Sequence, residues 1–557
     1  MQLLLIFAIC SVVSTHFQEH HTRVNRFSES KNLFDSSNVT RTQVLIIGAG
    51  LSGLEAARLL RENGVKTIVI EGRNRTGGRI FSLRSKNGHM VDLGGAWIHG
   101  INGSIPGGDL VNPIWEIARA AKIPTRSTPV DDLLAFYPAN QKPSNVEEWF
   151  EDFVNYVREE TKMAADDVSF EYYANIFANM RNFTEQERYA FYSILHTLIE
   201  GNEATELEKI SAKNYMDITG LHYGEEHVFH ETGFKAIIDY LTKDVKSGDI
   251  RLGQIVTSIS YNQELAEVLT ANGHVYQADF ILLTVPLGVL KARKIEFSPP
   301  LPEWKLNAID RLGYGILDKA ILLWDKAWWN STNYYFMRVS STPKLFGSWV
   351  NGNKWHDRPA LFCFYFGEEA YKMETTLSNE QVVTAVRNVL QEMFPNVTIP
   401  MPIDSYITRW AQDPFSYGSY SHISVNQTHA DMVHMGEPVS NQLLFAGEAT
   451  AIQYYGFAHG ALLSGRREAT RLLYVYGLLP NQTAPTSRSS AISSFRMMKT
   501  CSDKKTIDIT GMPTLMQSGM FEVFVDGKLI HSKNAGQGFP DTIDKIRWIY
   551  KAIKEAK

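Results

Sequence analysis

One stretch, Val44 to Arg79 ("VLIIGAGLSGLEAARLLRENGVKTIVIEGRNRTGGR"), constrains this chain more than any other. The apolar run Val44–Ile47 leads into Gly48, Gly50 and Gly53, spaced G-x-G-x-x-G, and a helical pattern continues to about Gly64. A second apolar run, Thr67–Ile70, ends on Glu71. Strand, glycine turn, helix, strand and acid in this order form the β-α-β unit that holds a dinucleotide. Gly48 permits the tight turn, and Gly50 lets a pyrophosphate approach backbone N–H groups at the helix N-terminus. Gly53 allows close packing of helix on sheet, and Glu71 can accept hydrogen bonds from the adenosine ribose.

The continuation points to FAD rather than NAD. Gly77-Gly78-Arg79 puts a basic residue after a glycine turn, where it can meet a second face of the same pyrophosphate. "VDLGGAWIHG" (residues 91–100) adds another glycine pair, which lets backbone lie close to a flat ring.

Here the sequence resembles the flavin-containing amine oxidase family and, within it, the polyamine oxidases, over roughly residues 43–475. Three further motifs carry the resemblance: "LGYGILDKAILLWDKAWW" (312–329), "TRWAQDPFSYGSYS" (408–421) and "LLFAGEATAIQYYGFAHGALLSGRREA". The resemblance implies an α/β fold. A GR2-type, Rossmann-like FAD-binding domain (43–118, 245–300 and 435–476) would be interleaved with an α+β substrate-binding domain (119–244 and 301–434). It also implies that Gly48, Gly50, Gly53, Glu71, Arg73, Gly78, Arg79, Gly95, Ala96, Trp97, Val256, Gly447 and Glu448 bind FAD. The closing motif contains no cysteine for covalent attachment, so the FAD is expected to be noncovalent.

By the same resemblance Lys319 reaches flavin N5 through a water, and Tyr420 and Phe457 form an aromatic pair that holds an aliphatic amine. His99 hydrogen-bonds the substrate nitrogen and favours its neutral form, which hydride loss requires. Lys319 is the only cation in "GILDKAILLW", and a buried lysine is costly unless it is paired or neutral. The alternative for Lys319 is a snorkelling lysine at a strand edge. For His99 it is a structural histidine, and for Glu448 a surface acid. A substrate with several ammonium groups also needs carboxylates. "IEGNEATELEKIS" offers Glu200, Glu203, Glu206 and Glu208, of which Glu203 and Glu206 are the weakly assigned substrate ligands.

The rest of the chain sets the context. Residues 1–14 form a short apolar run closed by small residues, below the roughly 20 needed to span a bilayer, and read as a secretory signal peptide; an N-terminal anchor is the alternative. N-x-S/T sequons such as Asn182 and Asn330 suit a secreted glycoprotein. After a polar arm (15–42) the globular body begins. A net charge of −5 without a long basic run argues against nucleic acid as a partner. Cys363 and Cys501 remain after processing, too few for a disulfide scaffold or a metal site, so no metal is expected. Residues 480–505 read as a linker. Residues 506–557 form a small α+β segment, with a hairpin turn at Asp526-Gly527 and a helix over 541–557. That segment resembles the latter half of selenoprotein W-like proteins but lacks their redox cysteine pair.

The expected activity is therefore that of a secreted polyamine oxidase: amine and O2 give an imine, then an aldehyde, with H2O2 released. The alternatives are an L-amino-acid oxidase of the same superfamily, or a flavin-binding interaction protein without turnover. Histone demethylation is disfavoured by the expected secretion and the absence of accessory helical domains. Oligomeric state is not legible.

Overall fold

The computed structural model describes residues 38–101 and 111–478, apart from 130, 139–141, 144–145, 147, 163, 219–224, 247 and 453, together with the strands Glu522–Val525 and Lys528–Ser532. The expected signal peptide, most of the expected arm, the expected linker with Cys501, the Asp526-Gly527 turn and the helix expected over 541–557 lie outside the described residues.

The opening motif folds as strand β1 (Val39–Ile47), helix α1 (Leu51–Glu62) and strand β2 (Thr67–Ile70). β1 is the middle of a largely parallel sheet. It pairs with β2 (Val44↔Thr67) and with β3 (Val275–Leu283; Ile47↔Leu283). Strands covered on both faces read as unbroken apolar runs, which is why "VLII", "IVI" and "FILL" show no alternation. The sheet extends through Ile250–Arg251 beyond β2. Leu443–Phe445, Ala266–Thr270, Val256–Ser260 and Glu296–Ser298 lie on the β3 side.

β1 starts earlier than the sequence reading placed it, because Val39–Thr42 belongs to the sheet and not to the polar arm. The polar side chains there bond to residues at the starts of the neighbouring strands. Arg41 donates to Gln277 at 2.7 Å, and Thr42 donates to the Lys66 carbonyl at 2.9 Å. Composition alone therefore concealed the strand.

The second body is a six-stranded sheet in the order Asp404–Ile407, β4 (Leu317–Leu323), Ala360–Phe366, Ser348–Asn351, Tyr335–Arg338 and Leu133–Phe136. Helices Trp149–Thr161, Phe170–Met180 and Glu185–Leu195 enclose a separate core around Phe153, Phe170, Phe177 and Phe191. The helix expected over 379–394 is present as Asn379–Met393, started by a capping box between Ser378 and Gln381. The chain passes between the two bodies more than once, giving the interleaved α/β architecture expected. Phe229, Phe234, Ile237 and Leu241 pack into the α1 core, although the sequence division assigns them to the substrate side.

At the junction sits a three-stranded sheet with His227–Val228 in the middle, flanked by Trp97–Ile98 and Arg126–Ser127. Glu522–Val525 and Lys528–Ser532 form the expected antiparallel hairpin. No helix among the described residues is long and apolar enough to cross a membrane.

Candidate active site

A cavity of about 1150 Å³ runs from the glycine turn after β1 into the helical part of the second body. Its walls bring together Gly48, Gly50, Glu71, Arg73, Gly78, Arg79, Gly95, Ala96, Trp97, His99, Val256, Lys319, Tyr420, Gly447, Glu448 and Phe457, residues spread over four hundred positions of sequence. Gly53 lies behind the wall, where a Cβ would stand 2.0 Å from the Gly48 carbonyl oxygen.

At the nucleotide end, Gly48 takes φ +110°, in the left-handed half of backbone space that favours glycine. Gly50 is the N-cap of α1, and no side chain caps the helix there. A Cβ on Gly50 would meet nothing within 4 Å, so the helix N-terminus opens onto free space where an anion can sit. Glu71 accepts from the Ala49 N–H at 2.8 Å and from the Arg73 N–H at 2.9 Å. Each oxygen keeps a lone pair for a ribose hydroxyl. An uncapped helix end, an open cradle and an anchored carboxylate fit an adenine dinucleotide.

The two arginines are engaged by protein acids. Arg73 pairs with Asp413 at 2.6 Å. Arg79 donates at 2.8 Å to Glu448 and to the Ser419 carbonyl. Glu448 also accepts from the Gly456 N–H at 2.7 Å and from the Ser421 hydroxyl. Both Arg79 and Glu448 border the cavity, and each neutralises the other there. Behind Glu448, helix α2 (Ala458–Val475) begins with Phe457 as its N-cap.

Lys319 is buried, and β4 is paired on both sides (Lys319↔Phe364 and Ala320↔Ile407), so the strand-edge alternative does not hold. Its Nζ donates to the carbonyls of Asp92 at 3.0 Å and Gly94 at 2.5 Å, stapling the "VDLGGAW" loop to β4. Burial pushes its pKa down to about 8.

The aromatic wall is built beside this lysine. His99 stands edge-on to Phe457 with ring centres 4.9 Å apart. The Tyr420 hydroxyl donates to the Gly201 carbonyl at 2.9 Å, and burial pushes its pKa up. Glu203, from the acidic run, lies on the same wall. It is buried, held by the Ile423 N–H and the Tyr455 hydroxyl at 3.4 Å each, and burial pushes its pKa up to about 8. Glu206 is not on the cavity wall. It accepts from the Glu368 N–H and pairs with Lys209 at 3.0 Å, because Ala204 turns the chain through a left-handed φ of 55° between the two acids.

Sequence reasoning missed three features. Glu226 faces His99, with its Oε2 2.6 Å from Nδ1. Tyr455 lines the cavity beside Glu203. Asp318 and Glu374 form a buried acid pair under the 408–421 loop. Asp318 accepts from the Thr408 hydroxyl at 2.7 Å and the Trp410 N–H at 3.1 Å. Glu374 accepts from the Ala411 and Gln412 N–H groups at 2.9 and 2.8 Å. Burial, then the adjacent Glu374, pushes the Asp318 pKa well up. Among the described residues no group of three or more His, Cys, Asp or Glu side chains gathers at metal-binding distance.

The model of the flavin containing amine oxidoreductase family matches residues 51–473. A model of the Rdx family matches residues 436–550, across the segment that resembles selenoprotein W-like proteins. The Arabidopsis thaliana protein named lysine-specific histone demethylase 1 homolog 2 is 34% identical over 476 residues, covering 82% of this chain and 61% of that one. Probable polyamine oxidase 4 of Arabidopsis thaliana is 32% identical over 452 residues, covering 78% and 87%. This chain spans only 61%, 30% and 52% of the lengths of three Arabidopsis histone demethylase homologs. A solved structure titled as wild-type putrescine oxidase bound to putrescine shares the fold, with TM-score 0.64 at 19% identity, covering 78% of this chain and 100% of that one. The chain belongs to the flavin-containing amine oxidoreductase family.

Proposed function

We propose that this member of the flavin-containing amine oxidoreductase family is a polyamine oxidase that uses noncovalent FAD and O2. The observation that carries the reading is Glu203, a buried carboxyl on the aromatic wall of the cavity that also holds Lys319. A carboxyl held neutral by burial is stabilised in its ionised form when a cation arrives, so the wall is suited to a second ammonium group. The N-terminus of α1, Glu71 and the Gly447 segment would hold FAD. Held there, FAD would supply the two-electron acceptor for the hydride of the amine's α-carbon, with O2 as the final oxidant and H2O2 as its product.

The chain's own residues supply the rest. Tyr420 and Phe457 enclose the alkyl part of the amine. His99 accepts a proton from the substrate nitrogen, since only the neutral amine can lose hydride. Lys319 fixes the Asp92–Gly94 loop and, with a pKa near 8, can exchange a proton at physiological pH.

An L-amino-acid oxidase needs an arginine to clamp the α-carboxylate. Of the three arginines lining the cavity, Arg73 and Arg79 are already paired with Asp413 and Glu448, so a carboxylate clamp would fall to Arg158, an exposed residue of the helix Trp149–Thr161 that donates to Asn155. The joint presence of Lys319, Tyr420 and Phe457 on one cavity wall weighs against a protein without turnover. The names of several relatives support one other reading, in which the amine is a methylated lysine side chain of a peptide. The short apolar run at residues 1–14, closed by small residues, supports secretion.

Peroxide release should be measured with spermine, spermidine, their acetylated forms, L-amino acids and a methyl-lysine peptide. Turnover of a polyamine and none of the amino acids is expected. Turnover of the peptide with no polyamine oxidised would replace the reading.

A further inference from the structure

His227–Val228 pairs antiparallel with Trp97–Ile98 in the register Trp97↔Val228 and Ile98↔His227. Continued by one residue, that register places Glu226 directly opposite His99. Directly opposed residues of an antiparallel pair have Cβ atoms about 5 Å apart, close enough for a carboxylate to reach an imidazole. The side chains do meet: His99 Nδ1 and Glu226 Oε2 are 2.6 Å apart, and both residues line the cavity.

Both backbones are pinned. The Thr128 N–H donates to the Glu226 carbonyl at 2.8 Å from the flanking strand. Asn112 donates through Nδ2 to the His99 carbonyl at 2.7 Å, while its Oδ1 caps the helix Pro113–Ala120. The ring is further confined by the edge contact with Phe457 and by Trp97, 6.1 Å away.

We propose that Glu226 is a positioning residue for amine deprotonation: it holds His99 with Nδ1–H directed at the carboxylate and Nε2 left as the proton acceptor. The inference rests on the amine-oxidase reading of the site. An imidazole that donates from one nitrogen must accept at the other, so the partner of Nδ1 decides which nitrogen can act as a base. In the step, one N–H bond of the substrate ammonium breaks and its proton bonds to Nε2. The electron pair stays on the substrate nitrogen. The positive charge passes to the imidazole, where Glu226 balances it at 2.6 Å. No oxidant or reductant enters this step.

Three further titratable groups among the described residues stand around the pair. Tyr335 faces Glu226 from the six-stranded sheet, and burial pushes its phenol up to about 12, so it stays neutral. Arg126 of the flanking strand is paired outward with Asp357. His459 stands behind Asn112, whose Nδ2 lies 3.4 Å from its Nδ1, and stacks on Phe457.

The test uses full-length FAD-loaded protein labelled with ¹⁵N-histidine, as wild type, Glu226→Leu and Glu226→Gln. NMR should show the Nδ1–H tautomer of His99 in the wild type, its loss in the Leu variant, and its retention in the Gln variant, whose amide oxygen still accepts. Anaerobic flavin reduction by spermine should slow roughly ten- to a hundred-fold in the Leu variant, with KM nearly unchanged and the Gln variant between. An Nε2–H tautomer in the wild type overturns the proposal, as does unchanged reduction in the Leu variant. A loss confined to KM also overturns it, making Glu226 a substrate anchor. If spermine fails to reduce the wild type, the polyamine reading falls while the tautomer result still decides the role of Glu226.

Discussion

Arg79 and Glu448, 369 positions apart, are joined by a 2.8 Å ion pair at the cavity wall, locking the first glycine motif to the last. Glu448→Ala leaves a largely buried guanidinium without its partner, a loss of about 3–5 kcal/mol. Thermal unfolding of FAD-free and FAD-loaded protein should show a clearly lower Tm in both states, and gel filtration should show FAD lost more readily. A Tm equal to that of the wild type would mean that the pair is not structural.

Glu203 gives a pH signature. Its folded-state pKa of about 8 lies above the ordinary carboxyl value of 4.5. Its contribution to stability is therefore fully present below about pH 4.5 and is lost as pH rises through about 8. Glu203→Gln removes that loss, so the stability of the variant relative to wild type should rise between pH 5 and 9 in denaturant titrations. In kinetics, KM for spermine should fall toward pH 8 in the wild type, as Glu203 ionises against the bound cation, and stay flat in the variant. Parallel KM profiles would remove Glu203 from the substrate site.

The acid pair beneath the 408–421 loop has the same sign. Asp318 is raised well above its ordinary value, so its stabilisation is present at low pH and fades as pH rises through its folded pKa. Asp318→Asn keeps a neutral, hydrogen-bonding side chain beside Glu374. Relative to the wild type, its stability should rise as pH increases from about 3.8, with the gain already present at neutrality and continuing up to the folded pKa. A large destabilisation at pH 7 would show that the aspartate is needed ionised.

What could be read from the sequence depended on whether the signal was local. Gly48, Gly50, Gly53 and Glu71 act within one β-α-β unit, so spacing alone located them. Lys319 stood out as the one cation in an apolar run. Strand alternation sends it and its neighbour Asp318 to opposite faces, Lys319 to the loop at Asp92 and Asp318 to Thr408, and no local pattern in the run marks the second acid's role. Glu203 and Glu206 look equivalent in the run, and only the left-handed turn at Ala204 separates them. Glu226 was invisible because its pairing with His99 depends on a strand register formed across more than a hundred residues. The residues of β1 before Val44 were missed because polar side chains at a sheet's end look like a loop.

Among the described residues, those that line the cavity end at Ala461, and α2 ends at Val475. Truncation after residue 478 should therefore leave FAD content and peroxide release per flavin within about twofold of full length, since every described cavity contact is kept. A truncated protein that binds FAD and is inactive would place the C-terminal segment in the site.

The central claim, a flavin amine oxidase organised around Lys319, is tested most directly by Lys319→Met in stopped flow. The replacement keeps similar length and removes both the charge and the hydrogen bonds to Asp92 and Gly94. A water-mediated hydrogen bond from Lys319 to flavin N5, lost with it, would be worth on the order of 1–3 kcal/mol, or roughly five- to a hundred-fold in rate. FAD should still bind, because Glu71 and the N-terminus of α1 are untouched. Flavin bleaching by spermine and its recolouring by O2 should both slow, recolouring more. Unchanged rates in both steps would contradict the claim and leave Lys319 a structural staple.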